Sequence, residues 1–122
     1  MTSDDYEATL TAFLDSMDEA DFDRALALFA DDATYVRPVL NQPGAPLGVG
    51  ITEYHGKQEI REFMRARGAR AMRQRIVISA TNERHLFAEG TIDFADGSPS
   101  LSPLFHLVFD DEGRIERFMA VR

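Results

Sequence analysis

The sequence predicts an α+β fold in which three helices come first and a curved antiparallel sheet follows. Two observations carry this prediction. Apolar residues recur at helical spacing in the N-terminal half, whereas from Met72 onward they alternate with polar residues, as in half-buried strands. A chain of 122 residues without an internal repeat or low-complexity segment makes one core, so we predict a single domain over residues 1–122.

The first helix is predicted from about Ser3 to Glu19. Ser3 is the expected N-cap, and Asp4, Asp5 and Glu7 place negative charge in the first turn, where the helix dipole favours it. One face of this helix is apolar, because residues recur at i, i+4, i+7, i+8 and i+11: Tyr6, Leu10, Phe13, Leu14 and Met17.

A second helix follows, with Asp21 as its cap. Its inward residues are expected to be Phe22, Ala25, Leu26 and Phe29. We predict that it ends at the Asp31-Asp32 pair and that a strand then extends from Ala33 to Pro38.

Residues Val39–Gly50 contain two prolines and three glycines, which predicts a long connection of the kind that often forms a binding loop or lid. A third helix opens at Gly56-Lys57, and the six arginines between residues 57 and 75 are interpreted as its solvated outer face and exit. Turn-forming residues then separate four predicted strands: Arg73–Thr81, His85–Phe94, Leu101–Phe109 and Arg114–Val121.

The composition excludes several classes of partner. The formal net charge is −8 at pH 7, so nucleic acid and anionic membranes, which are bound through positive surface, are not expected partners. The chain has no cysteine, which removes disulfides and thiolate nucleophiles. An acidic N-terminus and the lack of a long apolar run predict neither a signal peptide nor a membrane span, so a cytoplasmic protein is expected. Neither a metal-ligand motif nor a glycine-rich nucleotide loop occurs, so no metal and no cofactor are predicted.

The segment ALFADDAT, followed by a strand, a loop, GKQEIREFM and a C-terminal meander, resembles the nuclear transport factor 2-like superfamily. Its SnoaL-like and ketosteroid isomerase branches are the most similar, and the resemblance extends over nearly the whole chain. It implies a cone-shaped α+β barrel, whose curved sheet wraps the first helix and leaves an apolar pocket at its wide end. It also implies a homodimer through the outer face of the sheet. The superfamily includes isomerases, dehydratases, cyclases, epoxide hydrolases and proteins without catalysis, so the fold does not assign a function.

The resemblance also excludes one mechanism. Ketosteroid isomerases use a carboxylate base, a tyrosine donor and a protonated carboxylic acid. The corresponding positions fall on Arg37, Phe13 and Phe105. Arginine stays protonated and phenylalanine has no donor, so we predict that this chain is not an isomerase of that kind.

Dehydratase-like relatives pair an acid in the first helix with a histidine in the strand after the third helix. Asp18 falls at about the first position, but Arg73, Gln74 and Arg75 occupy the second. Capping of the turn near Asp21 is the interpretation that we favour for Asp18, with a catalytic role as the alternative.

Strand alternation places Tyr35 on the same face as Arg37, which the resemblance points into the pocket. A guanidinium there must pair with an internal acid, reach solvent at the pocket mouth or meet a polarised ligand. The internal acids considered are Glu53, Asp15 and Glu89. Among the three histidines, His55 is the preferred acid or base because it adjoins the long loop, and a solvated position is its alternative.

Two functions remain open. In the first, the protein is a cofactor-free cyclase, dehydratase or isomerase in which Arg37 and Tyr35 stabilise an enolate-like oxygen and His55 moves a proton. In the second, the domain only binds a small molecule or dimerises. The predicted partner is a small hydrophobic carbonyl compound, polyketide- or terpenoid-like, and the predicted ligand-binding residues are Phe13, Met17, Val39, Phe63, Ile92, Phe105 and Phe118.

Overall fold

A computed structural model describes residues 1–38 and 51–121 of the chain. In this part the helices are α1 (Ser3–Asp18), α2 (Phe22–Leu26) and α3 (Gly56–Arg67). The strands are β1 (Phe29–Pro38), β2 (Ile51–His55), β3 (Met72–Asn82), β4 (His85–Phe94), β5 (Leu104–Phe109) and β6 (Ile115–Val121). The predicted α+β fold class is confirmed. The predicted loop over residues 39–50 lies outside the described residues.

All six strands form one sheet in the order β2-β1-β6-β5-β4-β3. The prediction of a purely antiparallel sheet is wrong at one position, because β1 pairs with β6 in parallel, with Tyr35 opposite Phe118. The reason is topological: the chain leaves β1 through β2 and α3, builds β3 to β5, and returns with β6 beside β1. The result is a mixed sheet.

Helix α1 begins one residue away from the predicted cap. Thr2, not Ser3, is the N-cap: its hydroxyl accepts from the Asp5 backbone N–H at 3.2 Å, and the Asp5 carboxylate accepts from the Thr2 N–H at 2.8 Å. This reciprocal pair satisfies two backbone donors at once. The Ser3 hydroxyl instead bonds to the Thr81 hydroxyl at the end of β3, which ties α1 to the sheet.

Helix α2 is shorter than predicted, because strand pairing competes with the helical pattern. Asp21 caps it as expected, accepting from the Arg24 N–H at 3.2 Å, but it ends at Leu26. Phe29 already pairs with Ile115 of β6 and is fully buried. The chain from Phe29 to Asp32 is therefore strand, since burying Phe29 in the sheet outweighs its weak helical preference.

Strand β2 was missed by the sequence analysis. It is an edge strand that pairs with β1 from Thr34 opposite His55 to Pro38 opposite Ile51, and most of its residues are exposed. Too little of it is buried for an alternating pattern to appear. Strand β4 has the predicted bounds, whereas β5 begins at Leu104, and Leu101 forms only an isolated bridge to Ile92.

Helices α1 and α3 cover one face of the sheet, which we call the inner face; α1 lies against β3 and β4, and α3 against β1 and β2. At its centre Phe13 of α1 packs against Phe29 and Phe118, with ring centroids 5.6 and 4.7 Å away. Rings packed at these distances stabilise a core beyond the area that they bury. None of the helices in the described ranges is long and apolar enough to span a membrane.

Candidate functional site

A cavity lies between α1 and the inner face of the sheet. Its volume is about 30 Å³, which is enough to hold a water molecule. The wall is mostly apolar and is formed by Phe13, Leu14, Met17, Pro103, Phe105, Phe118 and Ala120. Three polar residues complete it, namely Tyr35, Arg67 and Gln74.

Gln74 reaches the cavity through the alternation of β3. Met72 and Gln74 are buried, whereas Arg73 and Arg75 are exposed. Asp18, the last residue of α1, lies beside this strand. Its Oδ2 accepts from the Gln74 backbone N–H at 2.8 Å, and its Oδ1 accepts from Gln74 Nε2 at 3.1 Å. The carboxylate therefore fixes both the backbone and the side-chain amide of Gln74.

This contact overturns the capping interpretation of Asp18. Asp21 caps α2, and Asp18 instead supports a polar residue of the cavity wall. The sequence analysis considered Gln74 only as a substitute for a histidine and did not include it in the site. A signal was present, since Gln74 is an uncharged polar residue between two arginines in a strand that alternates.

Tyr35 lies on the inner face, as strand alternation and the family resemblance together predicted. It is 9% exposed and its ring stacks on Phe118 at 4.9 Å and lies 5.0 Å from Phe63. Tyr54, opposite Tyr35 in β2, also stacks on Phe63 at 4.7 Å. The phenol is thus held by aromatic packing from β1, β2, β6 and α3.

The sequence analysis placed Arg37 in the pocket, but in the structure Arg67 lines the cavity and Arg37 does not. Arg37 is exposed, and its guanidinium lies 4.9 Å from the centre of the Phe63 ring, a cation–π contact. It does not line the cavity, and within the described ranges no ion pair joins it to the three acids considered. Of the three alternatives, the structure places it in solvent on the inner face.

Arg67, which the sequence analysis assigned to a solvated helix face, lines the cavity. It is the last residue of α3, and its Nη1 donates to the Gly68 carbonyl at 3.2 Å. Gly68 has a φ of 67°, a conformation that glycine adopts without strain, and it ends the helix there. The cation is brought to the cavity by this helix end, which the arginine-rich pattern does not reveal.

His55, the preferred acid or base of the sequence analysis, does not line the cavity. It pairs with Thr34, whose side chain points to the face opposite Tyr35, and its Nδ1 lies 3.4 Å from the Thr34 hydroxyl. Its Nε2 lies 3.2 Å from Glu53. Because alternate residues of a strand point to opposite faces, a histidine in this register cannot join Tyr35.

The predicted ligand-binding residues separate into three groups. Phe13, Met17, Phe105 and Phe118 line the cavity. Phe63 and Ile92 are buried but do not line it: Phe63 lies beneath Arg37, and Ile92 pairs with Gln74 in the neighbouring strand. Val39 lies outside the described residues. No group of three metal-binding side chains occurs in residues 1–38 and 51–121.

The described fold is a mixed sheet with helices on one face and a small, mostly apolar cavity between them. Comparison with known protein families identifies the class to which it belongs. The model of the SnoaL-like domain matches residues 10–118, and the chain belongs to that family. Among curated proteins, none matches this chain.

Solved structures share the fold at low sequence identity. A "putative ketosteroid isomerase" from Kribbella flavida DSM 17836 has 14% identity and a TM-score of 0.69, and the match covers 96% of this chain and 76% of that one. A "putative polyketide cyclase" from Sinorhizobium meliloti has 17% identity and a TM-score of 0.70, with 99% and 100% coverage. An NTF-2 like protein of unknown function from Burkholderia xenovorans LB400 has 15% identity and a TM-score of 0.70, with 97% and 82% coverage.

Proposed function

We propose that this protein binds a small hydrophobic carbonyl compound, polyketide- or terpenoid-like, in the cavity beneath α1. The observation that carries the proposal is the Asp18–Gln74 contact. It holds an amide in a fixed orientation in a cavity wall that is otherwise largely aromatic and aliphatic. Such a wall, with few placed polar groups, is typical of small-molecule sites.

The Gln74 amide has the chemistry to recognise a carbonyl oxygen. One Nε2 hydrogen is directed to Asp18, which leaves a second N–H for a bound oxygen. Because Asp18 is an acceptor and holds Nε2, the amide cannot rotate to present its oxygen in place of that nitrogen without losing this bond. Tyr35 and Arg67 line the same cavity and supply donors of their own.

Binding without proton transfer is favoured by the side chains that are present. Among the described residues, those lining the cavity include no carboxylate and no imidazole. Residues 39–50 contain no Asp, Glu, His, Lys or Arg at all. A general base poised near neutral pH is therefore missing from the cavity wall as described, and residues 39–50 have none to add.

The cavity must widen to accept such a ligand, since ligand sites usually measure about 300 Å³ or more and this one measures about 30 Å³. Phe13 and Met17 line the cavity from α1, and Phe105 lines it from β5. Methionine has three rotatable bonds and adapts readily, so outward movement of Met17 is the smallest change that enlarges the cavity.

The test compares cyclohexanone with methylenecyclohexane, a hydrocarbon of nearly the same shape in which a CH₂ group replaces the carbonyl oxygen. Titration followed by amide NMR should give saturable shifts at Gln74 and Tyr35 for the ketone. Gln74→Met should weaken ketone binding up to about tenfold, the value of one hydrogen bond. It should leave hydrocarbon binding unchanged.

Gln58→Met is the matched control, because Gln58 is exposed on α3 and does not line the cavity. Failure of both probes to shift cavity residues would contradict the proposal. Equal weakening of both probes by Gln74→Met would contradict the role of the amide.

Catalysis at the carbonyl is the second candidate, favoured by the presence of the Tyr35 phenol and the Arg67 guanidinium in one cavity wall. Both groups can stabilise an oxyanion. Exchange of the hydrogens next to the cyclohexanone carbonyl with D₂O discriminates the two functions. Binding alone predicts the uncatalysed rate, whereas substoichiometric protein that accelerates exchange, and loses this with Tyr35→Phe, would establish catalysis.

A further inference from the structure

Arg37 places an exposed cation on the inner face of the sheet, near the cavity but outside its wall. Its guanidinium carbon lies 4.9 Å from the centre of the Phe63 ring. The Phe63 ring in turn lies 5.0 Å from the ring of Tyr35, which lines the cavity. Two ring contacts therefore connect this cation to the cavity wall.

Aromatic packing holds the Phe63 ring in place beneath the cation. Phe63 is 8% exposed, and besides Tyr35 it contacts Tyr54, whose ring is stacked on it at 4.7 Å. A guanidinium that lies over a ring keeps its N–H donors available, because they point outward in the plane of the group. Arg37 is therefore positioned by the ring and can still bind an acceptor.

The acids near Arg37 do not supply that acceptor. Glu53 is opposite Val36 in the strand pairing, so it points to the other face of the sheet, where it lies 3.2 Å from His55 Nε2. Within the part of the chain that the structure describes, no ion pair includes Arg37. The segment 39–50, which follows β1, contains neither Asp nor Glu. These observations favour a bound molecule as the source of a carboxylate.

We infer that the ligand is an oxo acid, with a ketone oxygen that meets Gln74 in the cavity and a carboxylate that meets Arg37 outside it. The inference rests on the proposed function, because it adds a second contact to the same ligand. Arginine suits this role, since its planar fork donates two parallel hydrogen bonds to a carboxylate. The Tyr35 and Phe63 rings, which lie between the two polar contacts, match the hydrocarbon part of such a molecule.

The test uses cyclohexanones that carry an acetate, a propanoate or a butanoate chain next to the carbonyl group, each compared with its methyl ester. The three chain lengths allow for the span between the two polar contacts. Amide NMR titration at about pH 7 gives the dissociation constants. At least one acid should bind about threefold to fivefold more tightly than its ester, as expected for an exposed ion pair. Added salt should reduce this preference by screening the charges.

Arg37→Gln should reduce the affinity of the preferred acid to that of its ester, which serves as the uncharged reference. Arg65→Gln is the matched control, because Arg65 is exposed on α3 and its replacement removes the same charge from the protein. The control should keep the preference for the acid. Equal losses in the two variants would assign the preference to net charge and overturn the role of Arg37.

The same titrations separate failure of this inference from failure of the proposed function. If cyclohexanone and the esters shift Gln74 but no acid is preferred, the ligand is not an oxo acid, and the proposed function is unaffected. A preference that persists in Arg37→Gln would place the carboxylate elsewhere and overturn the assignment. If none of the ketones shifts the cavity residues, the proposed function fails and this inference fails with it.

Discussion

At the residue scale, Asp18 and Gln74 form the contact on which the polar wall of the cavity depends. Asp18 accepts two hydrogen bonds from one partner, and the Gln74 side chain is itself buried. Asparagine in place of Asp18 keeps the shape but has only one acceptor oxygen, so one of the two Gln74 donors would face an NH₂ group.

We therefore expect Asp18→Asn to lower the free energy of unfolding by about 1–3 kcal/mol, the cost of leaving a part-buried donor without an acceptor. Urea denaturation of the variant measures the change. Asp15→Asn provides the control on the same helix. Equal effects of the two substitutions would mean that the lost charge, rather than the lost bond, is responsible.

At the element scale, β4 owes its close approach to β5 to Gly90. The Gly90 N–H donates to the Pro103 carbonyl at 2.9 Å, in the segment that leads into β5. A Cβ atom at this position would lie 2.8 Å from the Arg75 carbonyl oxygen and 2.8 Å from Cε2 of Phe105. Because Gly90 has no Cβ, the Phe105 ring can lie close over β4. Phe105 also lines the cavity, so this glycine affects the position of one residue of the cavity wall.

Gly90→Ala is expected to destabilise the protein by about 1–3 kcal/mol, as overpacking in a core does. It should also shift the Phe105 ring, which amide NMR detects as changes at Phe105 and its neighbours in β5. If the denaturation midpoint were unchanged, β3 and β5 would have shifted to accommodate the added methyl group without loss of stability. The close approach at Gly90 would then contribute nothing to the stability of the protein.

Local patterns predicted α1, α3 and β4 well because each has an apolar face that its period reveals. They predicted α2 too long and missed β2. At Phe29 the parallel pairing with β6 decides the structure, and that partner is more than 80 residues away in the chain. The edge strand β2 has almost no buried residues from which a pattern could arise.

At the scale of the whole molecule, four carboxylates and His106 each make the fold less stable as pH falls. Hydrogen bonds hold the pKa values of Asp5, Asp93 and Asp96 below 3.8. Burial raises the pKa of Asp110, but hydrogen bonds from Arg114 and Glu112 outweigh it and lower the pKa. These carboxylates therefore stabilise the fold above their ordinary pKa, and this contribution is lost as pH falls through the lowered values. Burial lowers the pKa of His106, so the unfolded chain takes up a proton first.

We expect the free energy of unfolding to decrease as pH falls from about 7 through the window below 6.5, because the unfolded state binds a proton at His106 more readily than the folded state. Urea denaturation at several pH values measures this change. Adding His106→Gln should flatten the curve in that window and leave the loss at lower pH, which belongs to the carboxylates. A curve with the same slope after the substitution would assign the window to another group.

The sequence by itself determined the fold class, the inward position of Tyr35 and the apolar residues Phe13, Met17, Phe105 and Phe118 of the cavity wall. The apolar positions and the shared face of Tyr35 and Arg37 follow from periodicity, which records burial on one face of a helix or strand, whereas the resemblance to the family pointed that face into the pocket. Tertiary structure alone decided which polar residues join them. Gln74 acquires its orientation from Asp18, 56 residues earlier, Arg67 from the end of α3, and His55 is turned away by its register with Thr34. A single polar side chain leaves no repeating pattern, so its place depends on contacts between distant segments.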